Sequence, residues 1–582
     1  MTTRKPIDDG PYQLTAASSP ATETYLTQRS WLLALVLVIV TFVAYQPVWH
    51  AGFIWDDDAY VTRNPLLTAP DGLERIWFSA HSQSQYVPLV YTTLRFEHTL
   101  WGLDPVGYHL VNIVLHALNA LLVWAVLRKL AIPGSWLAAA IWAVHPVNVE
   151  SVAWITELKN TQSTLFYLLA LLAWMKFTAQ ETGRPWRFYR LALALHALAL
   201  FSKTTACTLP AAMLLVLWLR RQSIGWGRLK QVAPFMALGV AMGLFSVWWE
   251  AHLGNYGKGL HYLFNGLERV LIATRALWFY ATKLIWPTKL TFSYPRWEID
   301  VRDPLQYMWL IGCVAVALFL WWRRQALGRA PVAAVVFFVA ALSPLLGFIP
   351  LYTFRFSFVA DHYQYVASIG LIALFAGAVF SHADTWQLGH NTRCTLSASL
   401  LVVLGALTWQ QARIYQNSET LWRDTLTKNP QSWIAYNNLG YVQAQKGDVD
   451  AAISNYEHSL QLNPENERGY FNLGNVFLDQ GHPYKAIGYY EETLRLRPDF
   501  ADAHNNLGKA LFKTGDPQGA IRHFQEALRL KPTMAAAHYN LGVALEKAGR
   551  VPEAIQHYEQ ALRIDPDYPH ARNALARLQG RQ

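Results

Sequence analysis

The sequence predicts an all-α protein in two parts: a polytopic bundle of transmembrane helices, followed by a solenoid built from paired helices. Between residues 31 and 411, apolar runs of about 15–22 residues alternate with short polar breaks, and a helix needs about 20 apolar residues to cross a bilayer. After residue 412 no long apolar run occurs, and the sequence instead repeats every 34 residues. A soluble core does not require so many long apolar runs, so we place a domain boundary near residue 412.

Composition favours a membrane protein over a nucleic-acid-binding protein and over a small domain held by disulfides or zinc. Hydrophobic residues make up 53% of the 582 residues and charged residues only 15%, with a net charge of +10. Many Lys and Arg lie beside apolar runs, which indicates retention on cytoplasmic loops rather than nucleic-acid binding. The three cysteines (Cys207, Cys313 and Cys394) form no CxxC pair, so we expect neither a disulfide framework nor structural zinc. Residues 1–30 are polar and unpatterned, which predicts a disordered cytoplasmic tail.

We expect about eleven transmembrane helices in a domain spanning residues 31–412. Basic clusters follow every second segment, as the positive-inside rule requires if the N-terminus is cytoplasmic. A further run, 269–286, carries Arg269, Arg275 and Lys283, and we expect it to lie in the outer interface as an amphipathic helix. The expected spans are 31–49, 107–127, 132–147, 163–180, 189–202, 204–219, 232–249, 305–322, 331–350, 363–381 and 395–412.

An odd number of crossings puts both the first outer loop (50–106) and everything after residue 412 on the outer face. In a bacterial inner membrane that face is the periplasm, and in a eukaryote it is the lumen of the endoplasmic reticulum. The acidic loop and the solenoid are therefore expected to share one aqueous compartment.

The 34-residue period defines the C-terminal domain, residues 433–582. Leu-Gly recurs at Leu439-Gly440, Leu473-Gly474, Leu507-Gly508 and Leu541-Gly542. This Gly lets two helices approach closely, a second Gly fits the turn between them, and Pro ends the second helix. The pattern resembles the tetratricopeptide repeat (TPR) family. The resemblance implies four repeats (433–466, 467–500, 501–534 and 535–568) and a capping helix, preceded by a connecting half-repeat helix at 413–432.

One position in each repeat holds an Asn that packing does not require. Amides in a row can hydrogen-bond an extended peptide without reading its sequence. The row resembles the asparagine ladder in the TPR superhelix of O-GlcNAc transferase, which implies a peptide-binding groove. Local capping or solvent exposure is the alternative reading. The four residues are Asn438, Asn472, Asn506 and Asn540.

Charged and polar groups also gather at the outer breaks of the membrane half. Phe53-Ile54-Trp55 is followed by three adjacent carboxylates, Asp56, Asp57 and Asp58, which repel one another unless they bind a cation or a proton. The second helix carries a polar stripe that includes His109 and Asn112. Other outer breaks contribute Tyr86, Glu150, Lys159, Lys203, Arg355 and His362. Cations and carboxylates together at the lipid–water boundary suit a phosphate-linked lipid substrate.

The stretch from Phe53 to Ser202, with "GYHLVNIVLHALNALL" and "HPVNVESVAWITE", and the later "FVADHYQYVASIGL" resemble the transmembrane and TPR-containing (TMTC-like) proteins. That family belongs to the GT-C glycosyltransferases, relatives of the protein O-mannosyltransferases. The resemblance implies transfer of a sugar, mannose or another hexose, from a polyprenyl phosphate to Ser or Thr of a protein. No cofactor or metal is required on this reading, although a divalent metal at the Asp cluster is conceivable.

The implied reaction is one inverting displacement, in which a first-loop Asp takes the proton of the acceptor hydroxyl. We favour Asp57 as this base, although the sequence hardly separates it from Asp56. Lys203 and Arg355, with Lys159 and His362 behind them, are expected to bind the donor phosphate. Tyr86, His109, Asn112 and Glu150 are the expected substrate pocket.

Two other functions compete with this reading. A non-catalytic membrane scaffold would use the TPR domain to recruit partners, but an anchor needs one helix rather than eleven and no acidic outer loop. A transporter would carry charged or broken helices near mid-bilayer, whereas here the charged groups cluster at one face. The sugar, lipid carrier, acceptor and oligomeric state are left open by the sequence.

Overall fold

The computed structural model describes residues 30–79, 85–179, 186–252, 264–349, 352–383, 385, 387 and 389–579. Within these residues every regular element is helical. The all-α prediction is therefore confirmed. The predicted cytoplasmic tail lies outside the described residues, except for Ser30, which begins the first described helix.

A helix lies at each of the eleven segments expected to cross the membrane. Within the described residues, four helices are long and apolar enough to span a bilayer: Pro105–Lys129, Trp226–Glu250, Pro304–Trp322 and His390–Gln416. The remaining segments are shorter or less apolar, so the number of crossings stays a prediction. The eleven helices are Ser30–Ala44, Pro105–Lys129, Ser135–Ala143, Leu158–Ala179, Trp186–Ser202, Leu209–Leu219, Trp226–His252, Met308–Trp322, Ala330–Leu342, Ser368–His382 and His390–Ala412.

Further helices of the membrane half lie between these segments. The run expected at the outer interface forms the helix Gly266–Ile285, which Asn265 caps by accepting hydrogen bonds from the backbone N–H groups of Leu267 and Glu268. One side of this helix is buried and its C-terminal end is exposed, as an amphipathic helix requires. The others are Gly72–Phe78, Pro88–Trp101, Val149–Ala153 and Arg324–Leu327.

Buried polar side chains join the helices of the membrane half. His116 contacts the Tyr365 hydroxyl through Nδ1 at 2.7 Å and the Ala143 carbonyl through Nε2 at 2.8 Å. Asn119 donates to the Thr161 carbonyl at 2.8 Å. A polar group in an apolar interior is costly unless it is hydrogen-bonded, so these contacts fix which faces of the helices meet.

The repeats form helix pairs, as the 34-residue period predicts. The helices are Trp433–Gln445, Val449–Leu462, Glu467–Asp479, Pro483–Leu496, Ala501–Lys513, Pro517–Leu530, Ala535–Lys547 and Val551–Ile564, followed by the capping helix Pro569–Gln579. Gly515, in the turn of the third pair, has a φ of +88°, a conformation that glycine adopts without steric cost. At Gly508 a Cβ atom would lie 2.6 Å from the Phe524 ring, so the two helices of that pair pack too closely for a larger residue.

The solenoid is docked on the membrane half. The connecting helix, Ser418–Lys428, buries Trp422, whose ring lies 5.8 Å from that of Trp55 in the first outer loop. Lys428 donates to the Leu290 carbonyl at 2.7 Å, and Asn429 donates to the Ser293 carbonyl at 3.0 Å. A further polar contact joins Arg63 of the first outer loop to the Tyr441 hydroxyl at 2.8 Å. These contacts hold the connecting helix and the first repeat against segments 50–106 and 286–303 of the membrane half.

We expect Gly508→Ala to destabilise the solenoid by about 1–3 kcal/mol, because the added methyl group overpacks the helix pair against Phe524. Gly488→Ala is the matched control, since Gly488 is exposed in a helix and its Cβ would meet open space. That change should instead stabilise by about 0.5–1 kcal/mol. The stability of both variants is measured by urea unfolding of the full chain in detergent, with proteolytic cleavage of the repeats as the readout of unfolding. Equal stability of the two variants would contradict the close packing.

Candidate active site

The acidic motif begins at a residue in an unusual backbone conformation. Trp55 has a φ of +42°, which costs a residue other than glycine about 1–2 kcal/mol. Its ring stacks on Trp154 at 5.5 Å and meets the edge of Phe292 at 5.0 Å. Together with Trp422, these rings form an aromatic cluster that holds Trp55 in place, so the direction of the following carboxylates is fixed by packing.

Asp57 is fully buried, and both of its carboxylate oxygens accept hydrogen bonds. Oδ2 accepts from the Ile54 N–H at 2.9 Å. Oδ1 accepts from the Thr156 N–H at 3.0 Å and from the Thr156 hydroxyl at 2.6 Å. Burial raises the pKa of Asp57 to about 7, while these three donors act in the opposite direction. Asp57 therefore ties the first outer loop to the turn Ile155–Glu157.

Asp56 and Asp58 have different surroundings. The Asp56 side chain is half-buried, and no group among the described residues forms a hydrogen bond with its carboxylate. Burial raises the pKa of Asp56, while the positive charges of Lys159 and Arg468 oppose that rise. Asp58 accepts from the Thr62 hydroxyl at 2.8 Å and lies 3.4 Å from Arg63. Of the three carboxylates, Asp56 is thus the one available to a substrate.

Lys159 and Lys203 meet at one buried carboxylate, that of Glu157. Their ammonium groups lie 3.3 Å and 3.2 Å from its two oxygens, and Asn160 donates to it at 2.6 Å. Burial alone would raise the pKa of Glu157, but the two lysines outweigh it and the pKa is lowered. Burial lowers the pKa of Lys203, which Glu157 partly offsets. Two cations share one carboxylate, so the group carries a net positive charge beside Asp56.

A second buried group surrounds Glu150. His362 Nδ1 lies 3.1 Å from one oxygen of Glu150, and the His362 backbone N–H donates to the other at 3.0 Å. The neighbouring Asp361 accepts from the Tyr294 hydroxyl at 3.0 Å. Burial, and then the charge of Glu150, raise the pKa of Asp361 well above its usual value. Asn160 donates to the His362 carbonyl at 3.0 Å and so links this group to the lysines.

Arg355 lies at the junction of the two domains. Its guanidinium Nη2 is 3.4 Å from Glu467 Oε2, in the first turn of the second repeat. A cleft of about 210 Å³ opens beside it, and its walls come from both domains. A smaller cavity of about 20 Å³ adjoins Lys203, roughly the volume that one water occupies. The four expected phosphate-binding residues are thus divided between the Glu157 group, the Glu150 group and this junction.

Three residues expected in the substrate pocket instead have structural contacts. Tyr86 donates to the Trp77 carbonyl at 3.2 Å and packs on Phe245 and Trp249. His109 contacts the Ala51 carbonyl at 3.1 Å through Nε2. Asn112 donates to the carbonyls of Trp154 and Ile155 at 3.3 Å. Since these contacts use buried polar atoms to hold the loops, we leave the three residues out of the proposed site.

The expected asparagine row is half-buried in the solenoid, and its amides bond within the chain. Asn438 donates to the Ile434 carbonyl at 2.8 Å. Asn506 donates to Asn475 at 2.8 Å, and Asn540 donates to Asn505 at 2.9 Å. The Asn438 bond lies within its own helix, whereas the Asn506 and Asn540 bonds connect successive repeats. Peptide binding by the row, which includes Asn472, stays a prediction.

Sequence reasoning missed Thr156, Asn160 and Arg468. Thr156 and Asn160 are uncharged and bond to residues distant in sequence, so no local pattern marks them. Arg468 did leave a signal, because the equivalent positions of the other repeats hold Ile434, Asp502 and Ala536. No group of three or more His, Cys, Asp or Glu among the described residues is arranged to hold a metal ion, and metal independence stays a prediction.

Fold and site together define an all-helical membrane protein in which a TPR solenoid is docked beside an acidic site flanked by cations. Residues 85–249 match the family model described as dolichyl-phosphate-mannose-protein mannosyltransferase. Residues 440–481, 471–535 and 507–569 match tetratricopeptide-repeat models. The crystal structure of MamA is similar, with 22% identity and a TM-score of 0.24 over 25% of this chain and 86% of that chain.

The chain is also similar to curated protein O-mannosyl-transferases of animals. A protein O-mannosyl-transferase of Caenorhabditis elegans is 23% identical over 464 residues, which is 74% of this chain and 62% of the worm protein. One of Drosophila melanogaster is 32% identical over 181 residues, 29% of this chain and 21% of the fly protein. One of Homo sapiens is 32% identical over 152 residues, 24% of this chain and 18% of the human protein. The resemblance to TMTC-like proteins is thereby confirmed, and the chain spans less than two thirds of each of these relatives.

We expect Thr156→Val to destabilise the protein by about 1–3 kcal/mol, because a buried oxygen of Asp57 loses its hydroxyl donor. Thr99→Val is the matched control, since the Thr99 hydroxyl is exposed and donates to the Arg95 carbonyl of its own helix. Thermal unfolding in detergent should show a lower Tm for Thr156→Val alone. A similar Tm for both variants would mean that this hydrogen bond does not hold the loop.

Proposed function

We propose that this chain is a membrane glycosyltransferase that moves a hexose from a polyprenyl phosphate to Ser or Thr of a protein acceptor. One observation carries the proposal: Asp56 is half-buried without a hydrogen-bond partner among the described residues, beside a buried group of net positive charge. A carboxylate that can accept a proton and cations that can stabilise a phosphate are the two requirements of this reaction. The matched mannosyltransferase model and the names of the relatives agree with it.

In the proposed reaction Asp56 is the general base, rather than Asp57. The acceptor hydroxyl gives its proton to Asp56 as its oxygen forms a bond to the anomeric carbon. The bond from that carbon to the phosphate oxygen breaks, and polyprenyl phosphate leaves with the electron pair, so the configuration inverts. Asp57 is a positioning residue, because both of its oxygens are occupied by donors of the protein. Burial raises the pKa of Asp56, which brings a base closer to neutral operating pH.

Lys159 and Lys203 are the cations proposed to receive the negative charge that develops on the leaving phosphate. Both are paired with Glu157, so the two lysines are held in fixed positions. A group that is already oriented stabilises charge without reorganisation. Arg355 and His362 are proposed to contribute at longer range, because Arg355 lies at the domain junction against Glu467 and His362 lies against Glu150 rather than Glu157.

The solenoid is proposed to present the acceptor. Its first repeat is fixed against the outer loops by Arg63 and Asn429, and the cleft beside Arg355 lies at that junction. A polypeptide bound along the solenoid would therefore lead towards the site. The arrangement requires both domains to face one aqueous compartment, periplasmic or lumenal. The alternative is a membrane-anchored TPR scaffold without catalysis. Such a scaffold would not require the buried charged groups of the membrane half.

We expect Asp56→Asn to lower the transfer rate about 100-fold or more without lowering the Tm, because only the proton acceptor is lost. Asp57→Asn should lower the Tm, since an amide cannot accept from both Ile54 and Thr156, at a cost of about 1–3 kcal/mol. Asp58→Asn is the control and should retain activity. Transfer from a synthetic polyprenyl-phosphate hexose to a Ser/Thr peptide, with Tm measured in parallel, tests all three.

Two results would contradict the assignment of Asp56 as the general base or the proposed reaction itself. If Asp56→Asn remained active while Asp57→Asn were inactive with an unchanged Tm, Asp57 would be the base. If no variant and no wild-type preparation transferred sugar from any polyprenyl-phosphate donor, the scaffold alternative would stand.

Changing Asn438, Asn472, Asn506 and Asn540 together to Ala should weaken binding of long unfolded polypeptides, because a row of backbone-binding amides is lost. Gln445, Gln480 and Gln518 are exposed amides outside the row, and their change to Ala is the control. Anisotropy of a labelled unfolded polypeptide should report a drop of about tenfold or more in affinity for the row variant, equivalent to about 1.4 kcal/mol. Unchanged affinity in both variants would assign the row to repeat packing alone.

A further inference from the structure

The cleft beside Arg355 is enclosed by contacts between the two domains. Its volume is about 210 Å³, and residues of the membrane half, the connecting segment and the first repeat line it. Asn429 donates to the Ser293 carbonyl at 3.0 Å across the junction. The rings of Phe356 and Trp433, one from each domain, lie 5.3 Å apart. Since these contacts join its walls, the cleft has a defined shape and belongs to the docked protein.

The charged groups of this lining are two arginines. Arg296 and Arg355 line the cleft, and among the described residues that line it none is acidic. Arg296 Nε donates to the Phe354 carbonyl at 3.1 Å, which holds its guanidinium beside the segment that carries Arg355. Glu467 lies 3.4 Å from Arg355, but it also lies 3.9 Å from Arg497. Two cations against one shared carboxylate leave this wall positively charged.

Amides and apolar side chains make up most of the remaining lining. Gln431 and Asn463 contribute amides, each of which can donate to and accept from a peptide group. Leu462 is 43% exposed, and the Phe356–Trp433 pair adds aromatic surface. A polypeptide offers the backbone groups and the apolar side chains that such a lining can bind, whereas a simple anion would use only the arginines.

The cleft adjoins the asparagine row of the solenoid. Ile434 lines the cleft, and its carbonyl accepts a hydrogen bond at 2.8 Å from Asn438, the first member of the row. Residues four positions apart lie on the same side of a helix. A polypeptide that followed the row would therefore reach the cleft along one face of the helix Trp433–Gln445.

We propose that this cleft is an acceptor-binding subsite, which takes an extended polypeptide segment that carries an acidic side chain. The inference rests on the proposed function, because it treats the bound polypeptide as the acceptor of the sugar. Arg296 and Arg355 bind the carboxylate, since a guanidinium presents donors that match its two oxygens. Gln431 and Asn463 bond to the backbone, and the aromatic pair packs against a neighbouring apolar side chain.

The cleft adds a preference that the asparagine row does not supply. Amides in a row contact the backbone of any sequence, whereas two arginines distinguish an acidic side chain from a neutral or basic one. Acceptor segments that contain Asp or Glu are therefore bound more tightly than segments without them. The preference weakens as salt is added, because partly exposed charges are screened.

The experiment measures the anisotropy of two labelled Ser/Thr-containing polypeptides, one with Glu and one with Gln at the same positions, on the full chain in detergent. The wild type should bind the Glu polypeptide about three- to tenfold more tightly at low salt. Arg296→Gln should remove this preference, and Arg296→Lys should retain part of it. Arg302→Gln is the matched control, because Arg302 is exposed in the same segment and does not line the cleft. The Tm, measured in parallel, shows whether each variant is folded.

A second measurement needs neither a variant nor turnover. A benzophenone placed beside the Glu of the polypeptide should cross-link to the wild-type segments 293–296 or 429–434, which line the cleft, and mass spectrometry of the digested protein identifies them. With an active preparation, Arg296→Gln should also raise the KM of the Glu acceptor about three- to tenfold and leave kcat unchanged, because only binding is affected.

The outcomes separate this inference from the proposed function. Equal affinity of the wild type for the Glu and Gln polypeptides, a Glu preference that persists in Arg296→Gln, or cross-links confined to other segments would overturn the inference. So would Arg296-dependent binding of short-chain phosphatidylglycerol without any preference among polypeptides, which would make the cleft a lipid-headgroup site. If the Glu preference depends on Arg296 but no polyprenyl-phosphate donor yields transfer, only the proposed function fails.

Discussion

The buried carboxylate of Asp57 is the interaction on which the site depends. It joins the first outer loop to Thr156, a partner 99 residues further along the chain, through two hydrogen bonds, and it accepts a third from Ile54 within the loop. A buried carboxylate is stable only when its oxygens are hydrogen-bonded, so the loop and the turn Ile155–Glu157 have one relative position. That position sets Asp56 on one side and Lys159 on the other. The proposed proton acceptor and the proposed phosphate-binding cations are therefore arranged by Asp57, a residue to which we assign a positioning role only.

A single buried carboxylate likewise positions two of the cations. Lys159 and Lys203 come from different segments, yet both are ordered by Glu157. A lysine alone in an apolar environment tends to lose its proton, whereas a lysine beside a buried carboxylate keeps it. Asn160 extends the group to His362, and so connects it with the Glu150 pair. These buried contacts explain why the membrane half carries charged residues that simple anchoring would not need.

Periodicity predicted the fold well and the site only in part. Apolar runs and the 34-residue repeat located the helices, because burial leaves its pattern along each segment. The cluster of Asp56, Asp57 and Asp58 was visible as well. Which of these carboxylates is free depends on Thr156, a contact between distant segments that leaves no local pattern. The same holds for Arg355, which was expected at the donor phosphate and contacts Glu467 of the other domain.

The aromatic cluster around Trp55 has a consequence for how the two domains can be separated. Trp55 keeps its left-handed conformation against Trp154, Phe292 and Trp422, and Trp422 belongs to the segment that leads into the repeats. Such conformations persist only when neighbouring structure enforces them. A chain truncated after the last membrane helix would lose one wall of this cluster along with its solenoid. We therefore expect the membrane half and the solenoid to unfold as one cooperative unit rather than as two independent domains.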